Sequence, residues 1–119
     1  MTEEQYDKLT PEEQRVKIAE LCGFVKNPKS WEREGLYHTW WNKKGEEPEQ
    51  EYHNWQLPDY LNDLNDCHEF EKTLTGIAFY HYYAVLAQIC LDEGDVGHVV
   101  SAPAAQRCKA FVLTLTEDQ

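Results

Sequence analysis

The chain has 119 residues, 13% of them aromatic, and a formal net charge of −11 from 22 acidic and 11 basic side chains. That length suits one domain around one hydrophobic core and excludes two independent ones. The aromatic content argues against disorder despite a mean hydropathy of −0.73, and the charge repels a phosphate backbone, which excludes general binding to nucleic acid polymers.

Thr2-Glu3-Glu4-Gln5 has the form of a capping box, with Thr2 as N-cap. Thr10-Pro11-Glu12-Glu13 repeats it with proline at the first helical position. The second helix is expected to run to Leu21 or Cys22 and to stop at Gly23. Val16, Ala19 and Cys22 then share one face, with Ile18 and Leu21 beside them. Residues 1–20 are thus read as N-terminal helices, and residues 24–56 as an irregular segment holding a hairpin. Asn27-Pro28-Lys29-Ser30 is a turn signal, and Leu36 to Trp41 and Gln50 to Trp55 suit strands. A turn centred near Gly45 and Glu46 sets His38 opposite His53 and Trp40 opposite Glu51.

Residues 57–115 read as a helical core. Pro58 is expected to open a helix whose stripe is Leu57, Tyr60, Leu61, Leu64, Cys67 and His68, continued by Glu71 and Leu74. Asn62, Asp63, Asn65 and Asp66 work against that helix, because their short side chains compete for backbone hydrogen bonds. Their presence asks for a reason beyond helix propensity. Thr75-Gly76 marks a break. Ile77 to Leu91 is apolar nearly all round and is expected to be the central helix, packed on several sides. Asp92-Glu93-Gly94-Asp95 ends it, and Val96 to Val100 suits a short strand. Ser101 is the expected N-cap of the last helix, with Pro103 in its first turn. That helix should bury Ala104, Cys108, Phe111, Val112 and Leu115. The fold class that follows is α+β: a mostly helical single domain with a small antiparallel sheet.

Cys22, Cys67, Cys90 and Cys108 form no C-x-x-C pair and match no zinc module, so they read as buried thiols in a reducing compartment. No signal peptide is visible, because the N-terminus is acidic and lacks an apolar run. The longest apolar stretch, Ile77 to Leu91, is too short to span a bilayer. A cytoplasmic protein with no membrane partner is expected. Gly-x-Ser-x-Gly, P-loop and dinucleotide fingerprints are missing from the sequence, so no catalytic residue and no cofactor is assigned and an enzyme is not favoured. His38 and His53, even with Glu51 near, lack the third or fourth ligand that zinc requires, and no metal is assigned. His68 and His81 are expected as hydrogen-bonded core histidines.

Two groups of side chains are candidates for binding. Asn62, Asp63 and Asn65 offer the mixed donors and acceptors that read a base edge or a ribose hydroxyl. The same groups also suit the buried backbone of the irregular segment. Tyr37, Trp40 and Trp41 beside His38, with Tyr52 and Trp55, suit stacking on a nucleobase or packing as a satellite core under a long loop. Neighbours in a strand point to opposite faces, so one of Trp40 and Trp41 should be the more exposed. Arg107, with Lys109 or Arg33, is the cation that a phosphate would need.

In chain order, Leu21-Cys22-Gly23-Phe24, Thr39-Trp40-Trp41, Leu57-Pro58-Asp59-Tyr60-Leu61-Asn62-Asp63-Leu64-Asn65, His68-Glu69 with Glu71-Lys72, and Ala104-Ala105-Gln106-Arg107 with Ala110-Phe111 form a pattern. It resembles the small bacteriophage proteins grouped as the phage ABA sandwich domain, over most of the chain from Ala19 onward. The resemblance implies a phage or prophage origin and a compact fold with a small sheet between helices. It brings no settled activity. Ala102-Pro103-Ala104 departs from the family's small residue and Thr before the last helix. The segment before that helix is also short, so a reduced sheet is expected.

The function expected from these readings is that of a phage accessory protein in the host cytoplasm. It would be a non-catalytic binder of a small nucleotide-like signal that antagonises host defence. The alternative is an acidic protein–protein interaction module that docks a basic patch on a host protein. A metal-dependent hydrolase ranks last, and self-association into a homo-oligomer is left open.

Overall fold

The computed structural model describes residues 1–26, 39–41, 52–53, 56–94 and 99–116. Both capping boxes form as the sequence predicts. Ahead of α1 (Glu3–Asp7), Thr2 Oγ1 accepts from the Gln5 N–H at 3.1 Å and Gln5 Oε1 accepts from the Thr2 N–H at 2.8 Å. Thr10 and Glu13 make the same exchange at 3.2 and 3.0 Å ahead of α2 (Pro11–Leu21). Gly23 ends α2 with φ at +106°, a left-handed conformation that glycine adopts without steric cost. The Gly23 N–H then reaches the Glu20 carbonyl and the Phe24 N–H reaches that of Ala19, the paired bonds of a Schellman motif.

Three short strands follow: β1 (Val25–Lys26), β2 (Thr39–Trp41) and β3 (Tyr52–His53). They form an antiparallel sheet in the order β1-β2-β3, with Val25 opposite Trp41, Trp40 opposite Tyr52 and Thr39 opposite His53. The expected hairpin is therefore present, but its register is one residue away from the predicted pairing of Trp40 with Glu51. A single-residue slip turns every side chain of a strand to the other face, and this register puts Trp40 wholly in the core. Trp41 is buried as well, at 9% exposure, so the sheet covers an indole on each face and neither ring is presented to solvent. The turn signals at 27–30 and 45–46 lie outside the described residues, as do Tyr37, His38 and Trp55.

The helix expected from Pro58 starts later. It is α3 (Leu64–Glu71), with Asp63 as its N-cap, and residues 57–63 form turns ahead of it. The short polar side chains between Asp59 and Asp66 explain the delay, since they bond the backbone locally instead of continuing a helix. Gly76, at φ +58°, makes the predicted break before α4 (Gly76–Asp92). Val99–Ser101 is a 3-10 turn where a strand was expected, and residues 95–98 lie outside the description. Pro103, not Ser101, is the N-cap of α5 (Ala104–Leu115). Proline suits that place because the N-cap needs extended backbone and its missing N–H leaves nothing unsatisfied.

The buried side chains form one cluster that joins Ile18 and Ala19 of α2, Trp40 of β2, Leu57, Phe70 of α3, Tyr82 and Leu86 of α4, and Phe111 and Val112 of α5. Phe70 and Phe111 stack with centroids 4.3 Å apart. Helix α5 is the central one: every residue from Arg107 to Val112 is buried, and α1, α2, α3 and α4 all pack on it. Leu115 at its end is only partly buried. Helix α4, expected at the centre, instead covers α5 with one face and leaves Ile77, Tyr80 and Leu91 exposed on the other. The molecule is thus α+β, mostly helical with a small antiparallel sheet.

Candidate functional site

Of the side chains singled out from the sequence, Tyr37 and His38 lie outside the described residues, and several of the others bond to their own surroundings. Asp59 starts a knot of local bonds. Its carbonyl accepts from the N–H groups of Asn62 at 3.2 Å and Asp63 at 2.9 Å, and its Oδ1 accepts from Asn62 Nδ2 at 3.1 Å. Asp63 Oδ1 accepts from the Asn65 N–H at 2.9 Å, and Asp66 Oδ2 closes the loop by accepting from the Asp59 N–H at 2.8 Å. Asn62, Asp63 and Asn65 are exposed; the Asn62 amide and the Asp63 carboxylate bond within this turn, and Asn65 joins it through its backbone N–H. Arg15 of α2 pins the stretch from outside by donating to the carbonyls of Leu57 and Pro58.

Arg107 lies inside the molecule. Its Nη1 pairs with Glu71 Oε2 at 2.7 Å, Nε donates to the Ala102 carbonyl at 2.9 Å and Nη2 to the Val99 carbonyl at 3.0 Å. Tyr82 adds its hydroxyl to Glu71 Oε2 at 2.6 Å, and His68 Nδ1 lies 2.8 Å from Glu71 Oε1. Glu71 is therefore the hub of a network that joins α3, α4 and α5. His68 is exposed, which corrects the expectation of a core histidine. Its register puts it at the rim of the network, where one ring nitrogen reaches Glu71 and the rest of the ring meets water. Lys109 is engaged as well, with Glu3 at 2.8 Å and Asp7 at 3.0 Å, and so ties α5 to α1. Trp40 belongs to the core cluster, and Trp41 is buried as well. Among the described residues, no three His, Cys, Asp or Glu side chains are grouped so as to hold a metal ion. No described helix is long and apolar enough to cross a membrane.

Among the described residues, a concave surface lies along α2. A groove of about 430 Å³ is lined by Met1, Leu9, Glu12, Glu13, Val16, Lys17 and Glu20. The residues of α2 in this set recur at helical spacing, so they share one face. Met1, Leu9 and Val16 make a half-buried apolar floor, and Glu12, Glu13 and Glu20 stand exposed around it. Three carboxylates line the groove beside two cations, the Lys17 ammonium and the Met1 α-ammonium. The backbone N–H of Thr10, and then its hydroxyl, hold the Glu13 carboxyl below its usual range, so it stays charged to lower pH. The floor is fixed from both ends. The capping box orients the start of α2, and the Met1 amine donates to the Thr116 carbonyl at 3.0 Å. Sequence reasoning passed over this groove. Its signal was present in Leu9 and Val16, two apolar positions set among acids, but only the folded turn between α1 and α2 brings them together.

Comparison of the chain with family models, with curated proteins and with solved structures finds no match in any of the three.

Proposed function

We propose that the protein is a non-catalytic interaction module whose α2 groove docks a basic, apolar-anchored segment of another protein. One observation carries this reading: an apolar floor of Met1, Leu9 and Val16 under three carboxylates, in a chain of net charge −11. Such a surface favours Lys or Arg at the rim and one or two aliphatic or aromatic side chains below. A small nucleotide-like ligand has less support, because Arg107 is ion-paired in the interior and the Asn62 and Asp63 side chains bond within their own turn. A phage setting rests on the motif resemblance alone.

The test is fluorescence anisotropy with labelled amphipathic peptides rich in Lys and Arg. Binding should weaken as salt rises, since exposed charges are screened within about 8 Å at physiological ionic strength. Glu12→Lys with Glu20→Lys should lower affinity about tenfold or more, equivalent to about 1.4 kcal/mol, with the circular dichroism spectrum unchanged. Equal binding by the reversed and native chains would remove the groove from the account. A panel of cyclic and ADP-ribose nucleotides serves as the counter-test. A melting shift there, absent with the peptides, would restore the small-ligand reading.

A further inference from the structure

Helix α4 carries no Asp, Glu, Lys or Arg between Gly76 and Leu91, in a chain that otherwise holds 33 such residues, 22 acidic plus 11 basic. Its inner face is accounted for, with Tyr82, Leu86, Ile89 and Cys90 buried. The opposite face is also apolar. Ile77, Tyr80, Ala84, Ala87 and Leu91 follow one another at steps of three, four, three and four residues, and all five are exposed. Exposure reaches 87% at Ile77, 76% at Tyr80 and 63% at Leu91. This step pattern is the seam of a helix that packs along another helix. His81 and Gln88 are the polar residues beside the seam, and the Gln88 amide is turned onto Asp92 at 2.9 Å. A contiguous apolar stripe of this kind marks an interaction surface.

Charge and shape together name the occupant. A basic partner gains nothing from a face without carboxylates and is drawn to the groove instead. Two copies of a strongly acidic chain repel each other over most of their surface, and this uncharged face is where they meet at least cost. Two alanines lie inside the stripe, with Tyr80 and Leu91 flanking them and Ile77 one turn beyond Tyr80. An antiparallel two-fold through the midpoint sets Ala84 against Ala87 of the partner subunit and Tyr80 against Leu91 of the partner subunit. Helices that cross at an angle come closest at the centre, within about 8–10 Å, and diverge outward. The alanines permit the approach and the large side chains fill the widening wedge. A surface that fits itself in this way is isologous.

We propose that the protein forms a homodimer through the outer face of α4. A single helix pair buries less than roughly 1,200 Å², the range of weak and transient interfaces, so the dimer should dissociate on dilution.

Analytical ultracentrifugation of the full chain over a concentration series tests this. The expected result is a rise from 14.0 kDa to twice that mass. Ala84→Glu puts a carboxylate at the crossing point without touching the core. It should leave a monomer at every concentration, with an unchanged circular dichroism spectrum and melting curve. Added salt should tighten the dimer by screening repulsion, opposite to its effect on groove binding. A native chain that stays monomeric, an Ala84→Glu chain that still dimerises, or a dimer lost on groove charge reversal would each overturn the proposal.

Discussion

Arg107 shows how one side chain can look like a ligand-binding group and be a structural one. A guanidinium at 5% exposure is tolerated only when its donors are met and its charge is balanced. Two carbonyls and the Glu71 carboxylate do this, and the Tyr82 hydroxyl shares the same carboxylate oxygen. Arg107→Met leaves Glu71 without its cation at a site where the carboxylate is itself only 12% exposed. Removal of one partner from a buried pair costs about 3–5 kcal/mol. Because Glu71 keeps contact with His68 at the rim, the expected loss is at the lower end, about 3 kcal/mol in urea unfolding. The double change Arg107→Met with Glu71→Leu should recover the part due to the unpaired carboxylate. What stays lost is the acceptor of the Tyr82 hydroxyl and the donors to the Ala102 and Val99 carbonyls, worth about 1 kcal/mol or less each. A single variant as stable as the native chain would show that the pair contributes nothing net.

At the scale of elements, Asp63 decides where α3 begins. As N-cap it meets the Asn65 N–H with its side chain and accepts from the Cys67 N–H with its carbonyl. Asp63→Ala should cost about 1 kcal/mol, the usual loss for a cap, and should leave peptide binding at the groove unchanged. A variant that kept full stability but lost binding would return Asp63 to the candidate site. The same residue marks the limit of what the sequence discloses. The boxes at Thr2 and Thr10, the stop at Gly23 and the break at Gly76 are local, fixed by a few neighbouring residues, and each is readable before folding. The start of α3 was misplaced because apolar spacing from Leu57 to Cys67 suits a helix, while Asn and Asp inside it prefer turns. The second effect wins between Asp59 and Asp63. Strand register and the choice of central helix depend on contacts far apart in the chain. An apolar circumference predicts that α4 will be covered, but not that α5 covers only one side of it. The groove was illegible for the same reason, since Leu9 and Val16 acquire meaning only across the turn that joins α1 to α2.

For the whole molecule, the feature that matters most is how many weak acids the core holds in protonated form. Burial drives the Tyr6, Tyr60 and Tyr82 hydroxyls well above the ordinary phenol range. Cys108 and Cys67 additionally raise Tyr6, Cys22 raises Tyr60, and Glu71 raises Tyr82. Burial pushes the Cys22 thiol up to about 11, against a small opposing contribution from Tyr60. Cys108 rises through its shared hydrogen bond with Cys67, whose sulfur lies 4.0 Å away, and then through burial. In the unfolded chain these groups release their protons at ordinary thiol and phenol values, near 8.5 and 10. The native state still holds them there. The unfolded state then binds fewer protons than the native one, so stability falls as pH rises. These groups contribute no pH dependence below about pH 8. Above it, each one that titrates only on unfolding steepens the fall by up to about 1.4 kcal/mol per pH unit. Urea unfolding at pH 7, 9, 10 and 10.5 should show this alkaline decline. Phenolate absorbance of the folded chain should leave at least three tyrosines silent until the transition. Tyr60→Phe removes one contributor, and its stability curve should fall less steeply above pH 10. If that variant and the native chain decline in parallel, Tyr60 ionises within the fold and its enclosure by α3 and α5 is looser than its 2% exposure indicates.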